Sequence, residues 1–160
     1  KRSDIVKTHF EKTEYSPATT AAPSNPGLKA TWYDFKGKTC AEIAAAPVKK
    51  TYRVEDVTIP KGVKSFIIGL TYKGYINIPE DGIYSFYLSS DDGSMLYIDG
   101  KQVIDNDGLH APGEVTGQAA LKQGYHPIEV QYFDHGGGSI NLKVCDNNGK
   151  EMPFTYLYAH

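Results

Sequence analysis

Ile83-Tyr84-Ser85-Phe86-Tyr87-Leu88-Ser89-Ser90-Asp91-Asp92-Gly93-Ser94-Met95-Leu96-Tyr97-Ile98-Asp99-Gly100 is the stretch whose reading decides the fold. Side chains alternate between the two faces of an extended strand, so Tyr84, Phe86 and Leu88 share one side and form a candidate core row. A second short strand, Met95 to Ile98, follows Gly93, and Asp99-Gly100 is a hairpin turn signal. Between the strands stand two adjacent carboxylates, Asp91 and Asp92. In an extended chain neighbours point apart, so the pair grips one ion only if the backbone turns between them. Asp-Asp-Gly is thus either a polar hairpin or a carboxylate pair.

The same period continues outward. Apolar runs at Val54 to Ile59, Phe66 to Tyr72, Tyr75 to Ile78, Val103-Ile104, Val115 to Leu121, Ile128 to Phe133, Ile140 to Val144 and Phe154 to Tyr158 read as strands. Upstream, Leu28 to Phe35 is an aromatic-rich strand. Turn signals such as Pro79-Glu80-Asp81-Gly82 and Asp146-Asn147-Asn148-Gly149 separate most of them. Thr39 with Glu42 three residues later makes a capping box, the alanines after it favour helix and Pro47 stops it. This pattern predicts an all-β protein: an antiparallel β-sandwich or flattened barrel with one short helix near residues 40–46. Ile128, Val130 and Tyr132 form a second core row, and Ile140, Leu142 and Val144 a third.

With 160 residues, one domain is sufficient, and 16 glycines with 9 prolines suit a fold of many turns. Residues 1–26 read as a linker or the tail of a preceding module, because Ser16-Pro17-Ala18-Thr19-Thr20-Ala21-Ala22-Pro23 buries little and stays extended. Residues 27–160 are the domain, and the whole reads as a segment of something longer. A net charge of -2 gives no electrostatic argument for nucleic acid, and no apolar run reaches the length of a membrane span. Cys40 and Cys145 lack any CxxC partner, which excludes a zinc knuckle; a disulfide and two buried thiols both remain open.

Four segments carry a family resemblance. Gly27-Leu28-Lys29-Ala30-Thr31-Trp32-Tyr33 and Tyr75 to Phe86 resemble the opening half of the PA-fourteen domain, named after bacterial toxin protective antigen. Ser90-Asp91-Asp92-Gly93-Ser94 through Leu109-His110 resembles its central signature, and Leu121 to Phe133 the strand after it. The resemblance spans about residues 27 to 158. It implies a β-sandwich module of secreted, periplasmic or cell-surface proteins, often an appendage of a glycoside hydrolase and often carbohydrate-binding. A β-N-acetylhexosaminidase or β-glucosidase is the parent it suggests, so the expected partners are a glycan and a parent catalytic domain.

In the family's lectin members the paired aspartates are joined by a cis peptide and hold one calcium, which ligates sugar hydroxyls. Carried onto this chain, those positions are Asp91 and Asp92, and the remaining ligands fall in Asp134-His135-Gly136-Gly137-Gly138-Ser139. Asp134 ends an apolar strand and offers a third carboxylate; Gly136 and Gly138 are candidate carbonyl ligands, since glycine turns a carbonyl inward without a side-chain clash. The family's lectin members carry an asparagine and a bulky residue in this loop. Here the loop is bare glycine, which leaves a sugar to coordination and hydrogen bonds.

His135, beside Asp134, reads as a sugar contact because histidine prefers softer metals than calcium. Asp105-Asn106-Asp107-Gly108-Leu109-His110 resembles part of a calcium loop but lacks the later glutamate of an EF-hand, so it reads first as a polar turn, with Asp107 and His110 as further sugar contacts. His126, at a strand start, reads as structural. Catalysis by this segment is not expected: there is no GxSxG, HExxH or phosphate loop, and two carboxylates facing one ion do not flank a scissile bond. The sequence thus supports a non-catalytic, calcium-assisted carbohydrate-binding module; the alternative is a structural spacer that packs on its parent enzyme and binds no sugar.

Overall fold

A computed structural model describes residues 14–20, 25–63, 67–151 and 153–158. The segment Ile5 to Phe10, read as the tail of a preceding module or an extra strand, lies outside them. Among the described residues eleven strands are formed: β1 (Asn25–Pro26), β2 (Leu28–Tyr33), β3 (Val48–Val54), β4 (Ile67–Ile78), β5 (Gly82–Asp91), β6 (Ser94–Ile98), β7 (Lys101–Asn106), β8 (Gly113–Leu121), β9 (Gly124–His135), β10 (Ser139–Cys145) and β11 (Tyr156–Tyr158). One sheet runs β1-β11-β4-β9-β6-β7, with β2 also on β4 and β3 on β2; the other runs β10-β5-β8. The pairings are antiparallel. The architecture is the expected all-β sandwich.

The alternation in β5 does what its sequence dictates. Tyr84, Phe86 and Leu88 are fully buried and meet Leu70, Tyr72 and Ile76 of β4, Val130 and Tyr132 of β9 and Leu96 of β6 in one core. Each such side chain contributes about 1.5 to 3 kcal/mol relative to exposure. All nine core residues expected from the three rows are buried. The tyrosines satisfy their hydroxyls at the core's edges: Tyr72 donates to the Thr58 carbonyl at 2.9 Å and Tyr84 to that of Glu80.

Two expectations are refined. The strand anticipated over Val54 to Ile59 lies earlier, at Val48–Val54, because the Asp56 carboxylate accepts the Val57 N–H at 2.7 Å and turns the chain away. The short helix is a single 3-10 segment, Cys40–Ala45. The Glu42 carboxylate accepts the Thr39 N–H at 3.1 Å and hydroxyl at 2.9 Å, as the capping box predicts. Its buried Ile43 and Cys40 join Phe35, Met95 and Phe133 in a second cluster on the outer face of the larger sheet. Both cysteines are free and buried. Burial first, then the charges of Asp107 and Asp105, pushes the Cys40 thiol well above its ordinary value and keeps it protonated.

Ser16, within the segment read as linker from its composition, lies against the sandwich. Its N–H donates to the Ala120 carbonyl at 2.8 Å, its carbonyl accepts the Lys122 N–H at 3.0 Å, and its hydroxyl bonds the Asp99 carboxylate. Asp99 in turn lies 2.9 Å from Nδ1 of the buried His126, whose Nε2 lies 2.7 Å from the Lys122 carbonyl oxygen. His126 is therefore structural, the hinge pin of this clasp.

Candidate metal centre

Three strand ends converge at one pole of the sandwich: β5 ends at Asp91, β6 begins at Ser94 and β9 brings Asp134 alongside. Register fixes the approach, since Ser139 at the head of β10 pairs with Asp91, and Ser94 pairs with Tyr132. The Asp91–Asp92 peptide bond is cis. Asp91, Asp92 and Asp134 each offer a carboxylate oxygen, and these oxygens lie within 4.8 Å of one another. Sequence reasoning named all three.

Behind the carboxylates lies a buried polar network that holds the turn. The Ser90 hydroxyl donates to the Asp92 carbonyl at 2.7 Å and contacts the Ser94 hydroxyl at 2.6 Å. The Asn106 amide donates to the carbonyls of Leu88 and Gly113 and to the Ser90 hydroxyl. Tyr132, from the core row of β9, donates its hydroxyl to the Asp91 carbonyl at 2.8 Å. The Asp92 N–H reaches the Phe133 carbonyl at 3.1 Å, and the Phe133 N–H returns to the Gly93 carbonyl at 3.0 Å. Gly93 is obligatory: a Cβ there would meet the Phe133 ring at 2.5 Å and the Gly108 nitrogen at 2.7 Å.

Backbone N–H groups orient the carboxylates. Asp92 accepts the His110 N–H on Oδ1 and the His135 N–H on Oδ2, each at 3.0 Å. Asp134 is 2 % exposed and accepts the Gly136 N–H at 3.3 Å. Burial is the first cause that raises the Asp134 carboxyl above the ordinary carboxylate value; the N–H groups of Gly137 and Gly136 oppose it, and the charges of Asp92 and Asp91 add to it. Among the described residues no lysine or arginine pairs with any of the three. A half-buried, uncompensated triple of hard oxygens suits an oxygen-seeking divalent cation such as calcium better than a thiol- or imidazole-bound metal.

The two candidate glycines differ. A Cβ on Gly138 would collide with the Asp91 carbonyl oxygen and approach Asp134 Oδ1 to 2.9 Å, so Gly138 packs directly on the carboxylates. Gly136 has open space around its Cβ position and meets the cluster through its N–H.

The side chains read as sugar contacts are engaged within the fold. Asp107 Oδ1 accepts the Cys40 N–H at 2.9 Å and the Gly108 N–H at 2.8 Å, so it caps the 3-10 segment from a loop far along the chain. His135 Nε2 lies 2.5 Å from the Gly37 carbonyl oxygen, and its ring meets that of Phe133 edge-on. His110 sets Nδ1 2.7 Å from the Ala111 carbonyl and Nε2 2.8 Å from that of Asn106. Burial disfavours its charge, but those two carbonyls and the charges of Asp92 and Asp91 outweigh burial and raise its pKa. The half-exposed ring closes the 106–111 loop, and the His110 N–H holds that loop to Asp92.

The model of the PA14 domain matches residues 24–156. The chain belongs to the PA14 domain family. Among curated proteins it is similar to a β-hexosaminidase of Porphyromonas gingivalis, 36% identical over 77 residues that make up 48% of this chain and 9% of that protein. It is also similar to an α-agarase of Thalassotalea agarivorans, 41% identical over 68 residues, or 42% of this chain and 4% of that protein. The chain thus spans less than a tenth of the length of these relatives. Among solved structures, a PA14 sugar-binding domain from an RTX adhesin superposes with a TM-score of 0.71 over 86% of this chain and 100% of that one, at 18% identity, which is a likeness of fold. No helix among the described residues is long and apolar enough to cross a membrane.

Proposed function

We propose that this PA14 domain is a non-catalytic, calcium-assisted carbohydrate-binding module, attached to a secreted glycoside hydrolase. The observation that carries the reading is the convergence of Asp91, Asp92 and Asp134, oxygens within 4.8 Å, with no lysine or arginine among the described residues paired to them. The three carboxylates would hold calcium with carbonyls from the Gly136 to Gly138 loop, Gly138 being the glycine packed on the cluster. Calcium takes six to eight oxygens, so the bound ion would supply open positions to sugar hydroxyls. His110 and His135, whose backbone N–H groups bond Asp92, and Asp107 in the same loop as His110 are the side chains proposed to meet the glycan. The role is tethering: a bound glycan raises the local substrate concentration at a parent active site. The hexosaminidase and agarase relatives support a glycan-degrading parent, a β-hexosaminidase first among the candidates.

Calorimetry with calcium, followed by a glycan array with and without chelator, tests this. The module reading requires calcium binding that Asp91→Asn weakens, and glycan binding that chelator abolishes. Calcium binding with no glycan bound leaves the spacer reading, which the glycine-only loop and the internally held His135 ring favour.

A further inference from the structure

The outer face of the larger sheet is divided. The 3-10 segment and Phe35 cover the end near the carboxylates, where Met95 and Phe133 are buried beneath them. The other end is open. There a groove of about 410 Å³ runs across β2, β4, β9 and β6, within the size range of small-ligand sites.

Register sets its chemistry. Lys29 of β2 stands opposite Lys73 of β4, Lys73 opposite Glu129 of β9, and Glu129 opposite Tyr97 of β6. Like charges on facing positions of an antiparallel pair are destabilising: Lys29 faces Lys73 on β4 and Arg53 on β3, while Lys73 alone faces the opposite charge of Glu129. Among the described residues neither lysine forms an ion pair, and Glu129 accepts the Gln131 amide at 2.9 Å. The walls are Tyr75, Tyr97 and Tyr158. Tyr97 also packs against the second cluster, which makes it a fixed wall. Flat aromatic faces with polar tips beside two unpaired cations match a ring that has an apolar face, hydroxyls and one negative charge.

We infer that this groove is a second glycan site, one that takes an anionic pyranose chain through Lys29 and Lys73, with Tyr97 and Tyr75 against the sugar rings. The anionic group is a uronate carboxylate or a sulfate ester. Side-chain parity separates it from the metal centre: Glu129 faces outward on β9 while Asp134, five residues on and about 17 Å along the strand, belongs to the inward row. Its occupancy needs no calcium.

Amide chemical-shift mapping of the full chain, titrated with a galacturonate tetramer, a sulfated carrageenan tetramer and neutral cellotetraose, tests it. The expected result is shifts centred on Tyr75, Tyr97 and Glu129 for one or both acidic tetramers, unchanged by chelator. The exposed pair Lys29→Gln and Lys73→Gln should weaken that binding at least about tenfold with the spectrum otherwise preserved. The tetramer that binds identifies carboxylate or sulfate. Equal binding of cellotetraose, shifts confined to Asp92, His110 and His135, no shift with either acidic tetramer, or an unaffected lysine variant would each overturn the inference. Because the readout is residue-resolved and independent of calcium, its failure is distinct from failure of the module reading.

Discussion

The Tyr132 hydroxyl donates to the Asp91 carbonyl at 2.8 Å, so the apolar core and the carboxylate turn share one residue. The ring belongs to the core and the oxygen to the site. Burial, then the charges of Asp134, Asp91 and Asp92, holds this phenol far above its ordinary value, so it serves as a donor at any working pH. Tyr132→Phe removes the donor and leaves the ring. It should cost about 1 to 3 kcal/mol, because the Asp91 carbonyl loses a buried partner, and calcium affinity should fall with it. Paired thermal melts and calorimetry separate this from a packing defect, which would lower stability alone.

The two loop glycines should respond differently to one added methyl. Gly138→Ala drives a Cβ into the Asp91 carbonyl and should cost about 1 to 3 kcal/mol and abolish calcium binding. Gly136→Ala meets open space and should stay within about 0.5 kcal/mol of the parent. Similar losses in both would assign the loop a role through flexibility and remove Gly138 from the ligand set.

Asp134 should give the calcium-free chain a characteristic pH profile. A carboxyl whose folded pKa is raised contributes stability that is complete below its unfolded value and is lost as the pH rises through the folded one. With burial as the leading cause, that contribution declines upward from about pH 4. Asp134→Asn should flatten this decline, and calcium should reverse it by favouring the ionised form. Melting temperatures across the acid range, with chelator and with calcium, measure both.

Asp107→Ala should detach the 3-10 segment without touching the three carboxylates. Loss of the cap to Cys40 should cost about 1 kcal/mol, while calcium affinity stays near that of the parent. Hydrogen exchange at Cys40 and Ile43 reads the local opening, and equal protection in both proteins would remove the cap assignment.

How much of this was legible in the chain depends on the distance over which each signal acts. Tyr84, Phe86 and Leu88 announce a buried row because period two is local, and Asp99-Gly100 announces its turn for the same reason; Asp99 takes φ 56 and Gly100 φ 77. The carboxylate triple was legible through resemblance to a signature, not through spacing, since Asp134 lies four strands beyond Asp91. β3 escaped because Lys49, Lys50 and Arg53 mask its alternation, as charges on edge strands do. Asp107 looked like a free turn carboxylate because its partner, the Cys40 N–H, is 67 residues away. Ser90 had a signal that went unread: it continues the inward register of Tyr84, Phe86 and Leu88, and a hydroxyl on a core row must find a polar partner. Following that parity leads to Ser94, Asn106 and the network beneath the aspartates.

The clasp at Ser16 has a geometric consequence for the acidic cluster. His126 lies near the start of β9 and Asp134 near its end, eight residues and about 26 Å apart, so the chain is seized at one pole and the acidic cluster sits at the other. The rigid sandwich between them acts as a yardstick: it sets a fixed standoff and an outward bearing for the cluster relative to the Ser16 clasp.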